Sequence, residues 1–95
     1  MVLTFDGAVI TWRGPAPYFF VPVPGDESDA IASVADQISY GWGCLPASVR
    51  IGGTDFTTAL IPKDGGYLVP LKVAVRRAED IAEADQVTVR LTLDV

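Results

Sequence analysis

The sequence predicts a mainly β domain, a small closed or nearly closed barrel of about six strands with two short helices. Three observations carry that expectation. Near the C-terminus Val87, Val89, Leu91, Leu93 and Val95 alternate with Thr88, Arg90, Thr92 and Asp94, the period of a half-buried strand. Between Ala47 and Leu71, runs of β-branched and aromatic residues are punctuated by Gly52-Gly53 and Asp64-Gly65-Gly66, as hairpins are. A chain of 95 residues holds one domain, 1–95, and closing one sheet on itself hides the edges that a flat sheet exposes.

Taken in order, Leu3 to Arg13 reads as a first strand. Its apolar phase shifts from odd positions (Leu3, Phe5) to even ones (Ala8, Ile10, Trp12), which predicts a bulge or sharp bend at Asp6-Gly7. Gly14-Pro15-Ala16-Pro17 is a turn. Tyr18 to Val21 is a second strand, stopped by Pro22 and Pro24. Asp26 or Ser28 caps a helix whose Ile31, Val34 and Ile38 form one apolar stripe with Ala35 between them, and Gly41 ends it.

Val49-Arg50-Ile51 leads into the first hairpin. In the next strand Phe56, Thr58 and Leu60 share one face and Thr57, Ala59 and Ile61 the other. Tyr67 to Leu71 returns, with Pro70 implying an edge or a bulge. Val73 to Asp80 is a short helix with Ala74, Ala78 and Ile81 on one face, and Gln86 to Val95 is the final strand.

Composition narrows the chemistry. The chain has no histidine, which removes Ser-His-Asp and Cys-His nucleophiles and the commonest metal ligand. The single Cys44 allows no internal disulfide and has no histidine to activate it, so it reads as a small buried thiol. That cysteine usage, the lack of a signal-peptide pattern at the N-terminus and the lack of a membrane-length apolar run point to the cytoplasm and away from the membrane. Lys63-Asp64-Gly65-Gly66 lacks the spacing of a phosphate loop, and Asp26, Glu27 and Asp29 lack that of a calcium loop, so no cofactor or metal is expected.

The net charge of −5 disfavours nucleic acid as a partner. Bases nevertheless concentrate at Arg50, Lys63, Lys72, Arg76 and Arg77, against only Asp55 and Asp64 in that stretch. Arg50, Lys72 and Arg76 are the candidate anion-binding residues: Lys72 to Arg76 lies where a strand feeds a short helix, whose free N–H groups attract anions, and the Arg76 guanidinium grips a carboxylate or phosphate with two parallel bonds. Alternatively these bases pair with surface acids. Trp42, between Gly41 and Gly43, either sits at a pocket mouth or plugs the core after a helix C-terminus.

The run Ser39-Tyr40-Gly41-Trp42-Gly43-Cys44-Leu45-Pro46-Ala47-Ser48-Val49-Arg50-Ile51-Gly52-Gly53 resembles the DUF1905 family, bacterial domains of unknown function. The likeness strengthens from Phe56 through Lys72 and includes Phe5-Asp6-Gly7 and Phe20-Val21-Pro22-Val23-Pro24. Where the family often has Gly-Asp before its last strand, this chain has Ala84-Asp85. The resemblance implies a small closed barrel with helical caps and supplies no catalytic residues.

Three functions follow as expectations. The first is a non-enzymatic module for a small acidic or amphipathic ligand, monomeric or homodimeric. In it a curled sheet lined by Phe5, Trp12, Phe20, Trp42, Phe56 and Tyr67 holds the ligand, and Arg50 or Arg76 fixes its acidic group. The second is a histidine-free enzyme using Asp, Lys or Tyr as acid or base, with Asp6 the nearest candidate. The third, a DNA-associated regulator, would need dimerisation to gather the bases on one face.

Overall fold

The computed structural model describes residues 1–12, 18–38 and 43–95. The predicted turn at 14–17, Gly41 and Trp42 lie outside the described residues. Strands β1 (Val2–Ala8), β2 (Ile10–Trp12) and β3 (Tyr18–Pro22) follow one another at the N-terminus. Alternation runs unbroken from β1 through β2, with Leu3, Phe5, Gly7, Val9 and Thr11 less exposed than their even-numbered neighbours. The bulge expected at Asp6-Gly7 is therefore absent, and the strand is interrupted at Val9 instead. Ile10 and Trp12, which suggested the phase shift, stand on the outer face.

Helices α1 (Gly25–Ala32) and α2 (Ala35–Ile38) divide the single helix expected there. Ile31 is fully buried, and Val34, Ala35 and Ile38 pack against the core, so the predicted stripe holds across the break. The cap differs. Pro24 occupies the N-cap position with no side-chain cap bond, and Ser28 is buried with its hydroxyl donating to the Val23 carbonyl at 3.1 Å. The backbone carbonyl of Pro24 instead accepts from Ser28 N–H at 2.8 Å, closing the first turn without a polar cap.

Strands β4 (Leu45–Ile51) and β5 (Thr54–Lys63) form the first hairpin, Ile51 facing Thr54 across Gly52-Gly53. The second joins β5 to β6 (Gly66–Leu71), with Lys63 opposite Gly66. Asp64 and Gly65 both take positive φ, 52° and 80°, the pair that a tight right-twisted hairpin requires. Pro70 pairs with Phe20 of β3, while the β5–β6 ladder covers only Gly66 to Leu68. The proline thus sits where β6 has parted from β5 and its missing N–H leaves no ladder bond unmade.

Helix α3 (Val73–Ala78) buries Val75, while Ala74 and Ala78 are exposed, so its inward face is not the one the alanines suggested. Ile81 beyond it is buried as expected. Strand β7 (Gln86–Thr92) buries Val89 and Leu91, and Leu93 follows them inward, but Val95 is exposed.

The order across the sheet is β1-β7-β4-β5-β6-β3-β2, every neighbouring pair antiparallel. Its two end strands are separated by Val9 alone, so the segment that begins the sheet also ends it. Val9 N–H donates to the Asp85 carbonyl and its own carbonyl accepts from Ala84 N–H, both at 2.9 Å. These bonds hold the bend to the β7 side while β2 crosses to β3. The result is the nearly closed, mainly β barrel the sequence predicts; the bend makes seven strands of six, and the split helix makes three helices of two.

Phe5, Val21, Leu45, Val49, Leu60, Val69, Val89 and Leu91 belong to one continuous buried cluster, which α1 and α3 complete with Ile31 and Val75. No helix of the described residues is long and apolar enough to cross a membrane.

Candidate functional site

Among the described residues the interior holds one buried apolar cluster, and the hollows at Arg50 and at Lys72 open on the outer face. Of the six aromatics expected to line a ligand cavity, Phe5 is buried in the core, and Phe56 and Tyr67 are half-buried against it. Trp12 points to solvent, and Phe20, two residues from Tyr18 along β3 and opposite Ile10, shares the outer face with them. Trp42 lies outside the described residues. Asp6, the acid–base candidate, is exposed on the outer face, where its carboxylate accepts from the Thr88 hydroxyl at 2.6 Å.

The outer face of β7, β4 and β5 is polar, because the even residues of β4 and β7 point outward. Register then decides which of them meet. Arg50 of β4 lies opposite Arg90 of β7 on one side and Asp55 of β5 on the other. The next row outward is Thr92, Ser48 and Thr57. Arg50 gives a 2.8 Å ion pair to Asp55, the only one among the described residues. Arg90 has no acidic partner among them. Two like charges directly opposite on a ladder repel, and one acid on the far side of Arg50 does not compensate both.

These side chains line an open groove of about 370 Å³, with Val49 and Phe56 also contributing to its walls. Ser48, Thr57 and Thr92 also border a second hollow of about 860 Å³, at whose far side stand Lys72 and Asp94. The second hollow opens where β4 and β7 part, since their ladder spans only Ser48–Ile51 and Val89–Thr92. Pro46, in the unladdered stretch, has no N–H to offer a neighbour. The two hollows form a continuous outer track with Arg50 and Arg90 at one end, three hydroxyls in the middle and Lys72 at the other.

The structure thus associates two of the expected bases, Arg50 and Lys72, and adds Arg90. Arg76 is separate: it borders neither hollow, and its guanidinium carbon stands 3.7 Å from the centre of the Phe19 ring. Such a contact is worth about 0.5–2 kcal/mol and gives Arg76 a packing role. Cys44 is free and half-buried. Among the described residues no three of Cys, Asp and Glu gather as a metal-ligand group. Arg90 was missed because alternation shows only that it points outward; its neighbour across the ladder depends on the pairing of two strands far apart in sequence.

The DUF1905 family profile, a domain of unknown function, matches residues 5–91. No curated protein matches the chain. Nearly the whole sequence lies inside that match, and the chain belongs to the DUF1905 family.

Proposed function

We propose that this DUF1905 domain is a non-catalytic binding module of the bacterial cytoplasm that takes an anionic ligand on the outside of its barrel. The observation that carries the reading is the cross-strand pair Arg50–Arg90, two exposed arginines on neighbouring strands whose one carboxylate, Asp55, stands on the far side of Arg50. An arrangement that costs the empty protein stability is favourable once an anion sits over it, because both guanidiniums then donate charge-assisted bonds. Ser48, Thr57 and Thr92 supply neutral donors beside the charged ones, and Lys72 extends the reach of the track. A ligand with more than one negative charge, such as a diphosphate or dicarboxylate, engages both guanidiniums at once.

Titration calorimetry with inorganic pyrophosphate tests this. The wild type binds, and Arg90→Gln weakens binding roughly tenfold or more, the loss of one charge-assisted contact. Lys72→Gln weakens it less, and Arg76→Gln leaves it unchanged. A wild type that takes up neither pyrophosphate nor citrate, or an Arg90→Gln protein that binds as well as wild type, removes the reading.

A further inference from the structure

The opposite side of the barrel carries a different surface. On the outer face of β2, β3, β6 and the end of β5, register sets Trp12 opposite Tyr18, Ile10 opposite Phe20, and Ile61 opposite Leu68. Trp12 and Tyr18 stack with ring centres 6.1 Å apart, and Tyr18 meets Phe20 at 6.5 Å. Trp12 is 58% exposed, Tyr18 55%, Ile10 41% and Ile61 36%. These six side chains are uncharged, in a protein whose net charge is −5; Lys72, next in register to Tyr18, and Lys63, two residues along β5 from Ile61, flank them.

We infer that this face is a self-association surface, on which a second copy of the chain packs face to face across a two-fold axis. Three features select that occupant. The face is a pleated apolar sheet surface, and such a surface packs well on another of its kind. The six side chains are uncharged, so an isologous contact centred on them leaves the flanking lysines at its rim, whereas an acidic protein is repelled from an anionic bilayer.

The third feature is area. The exposed parts of the six side chains total roughly 500 Å², the size of the largest apolar patch on a typical monomer, which is often a contact surface. Two such faces bury about 1,000 Å², the low end of specific interfaces, and so specify a weak, reversible dimer. This face meets the anion track only at its edge, where β5 carries both Ile61 and Thr57 and Lys72 follows β6, and it shares neither Arg50 nor Arg90.

Sedimentation equilibrium from micromolar to millimolar protein tests it, with the emission of Trp12 followed in a Trp42→Phe background. The wild type is expected to shift reversibly from monomer to dimer, and Trp12 emission to move to the blue as it does. Trp12→Lys places like charges on the axis and is expected to lose roughly thirtyfold or more in dimer affinity. Since position 12 is exposed, its thermal midpoint at low concentration should match wild type, and Tyr18→Ser provides a second, milder variant. A wild type that is monomeric at millimolar concentration, or a dimer that survives both substitutions, overturns the proposal. So does a monomer that binds phosphatidylcholine vesicles through Trp12, which would give the face to a lipid surface.

Discussion

Ala84 is an alanine in a glycine's conformation. Its φ is +71°, and its N–H is committed to the Val9 carbonyl at the bend that closes the barrel. A Cβ in the left-handed region costs about 1 kcal/mol, and the relatives that this chain resembles often place Gly before Asp at this point. Ala84→Gly should therefore raise stability by about 0.5 kcal/mol in urea denaturation, the relief of strain exceeding the added unfolded-state entropy. Gly7 runs the other way. An added Cβ would stand 2.6 Å from Val21 Cγ1 and 3.2 Å from the Pro22 carbonyl oxygen, inside a packed core. Gly7→Ala should cost about 1–3 kcal/mol, read as a fall in the urea midpoint at unchanged slope.

At the scale of elements, β7 is the organising strand, paired with β1 along its length and with β4 over its second half. Leu91 is fully buried on its inner face and Thr92 exposed on its outer one. Leu91→Ala should cost about 2–5 kcal/mol and Thr92→Ala under 0.5 kcal/mol, a contrast that thermal or chemical unfolding resolves directly. Much of this strand was legible beforehand, because its alternation is strict and a two-residue period leaves one way to bury it. The Asp64-Gly65 turn was legible for a similar reason, since few other dipeptides tolerate its backbone angles.

The phase through β1 and β2 was not, and the cause is specific. Ile10 and Trp12 are apolar yet exposed, so a reading that buries every apolar residue must invent a slip in phase. Likewise Ala74 and Ala78 drew attention away from Val75, although alanine reports helix preference more than burial. Sequence periodicity describes faces; it misleads where an outer face is itself apolar.

For the molecule as a whole, the division of surface follows from closure. The buried residues form one continuous apolar cluster, and the described outer residues fall into two unlike regions. Around Arg50 and Arg90 the surface is charged and rich in hydroxyls; at Trp12 and Tyr18 it is aromatic. Of the anion track, Arg50 and Lys72 were legible as bases in a base-rich stretch. Arg90 was not, since the Arg50–Arg90 register is a tertiary fact that no local pattern encodes. Removing Arg90 should also relieve the repulsion it makes with Arg50, so Arg90→Gln is expected to gain a few tenths of a kcal/mol while losing ligand.

The claim that this barrel binds from outside is tested most directly by a backbone amide chemical-shift titration of the isotopically labelled protein with pyrophosphate. Saturable shifts are expected, clustered at Ser48, Arg50, Thr57, Arg90 and Thr92, saturating only at about tenfold or more higher pyrophosphate in the Arg90→Gln protein and reduced by added salt. Shifts centred on Val21, Val69 or other interior strands, or none at all, would contradict it.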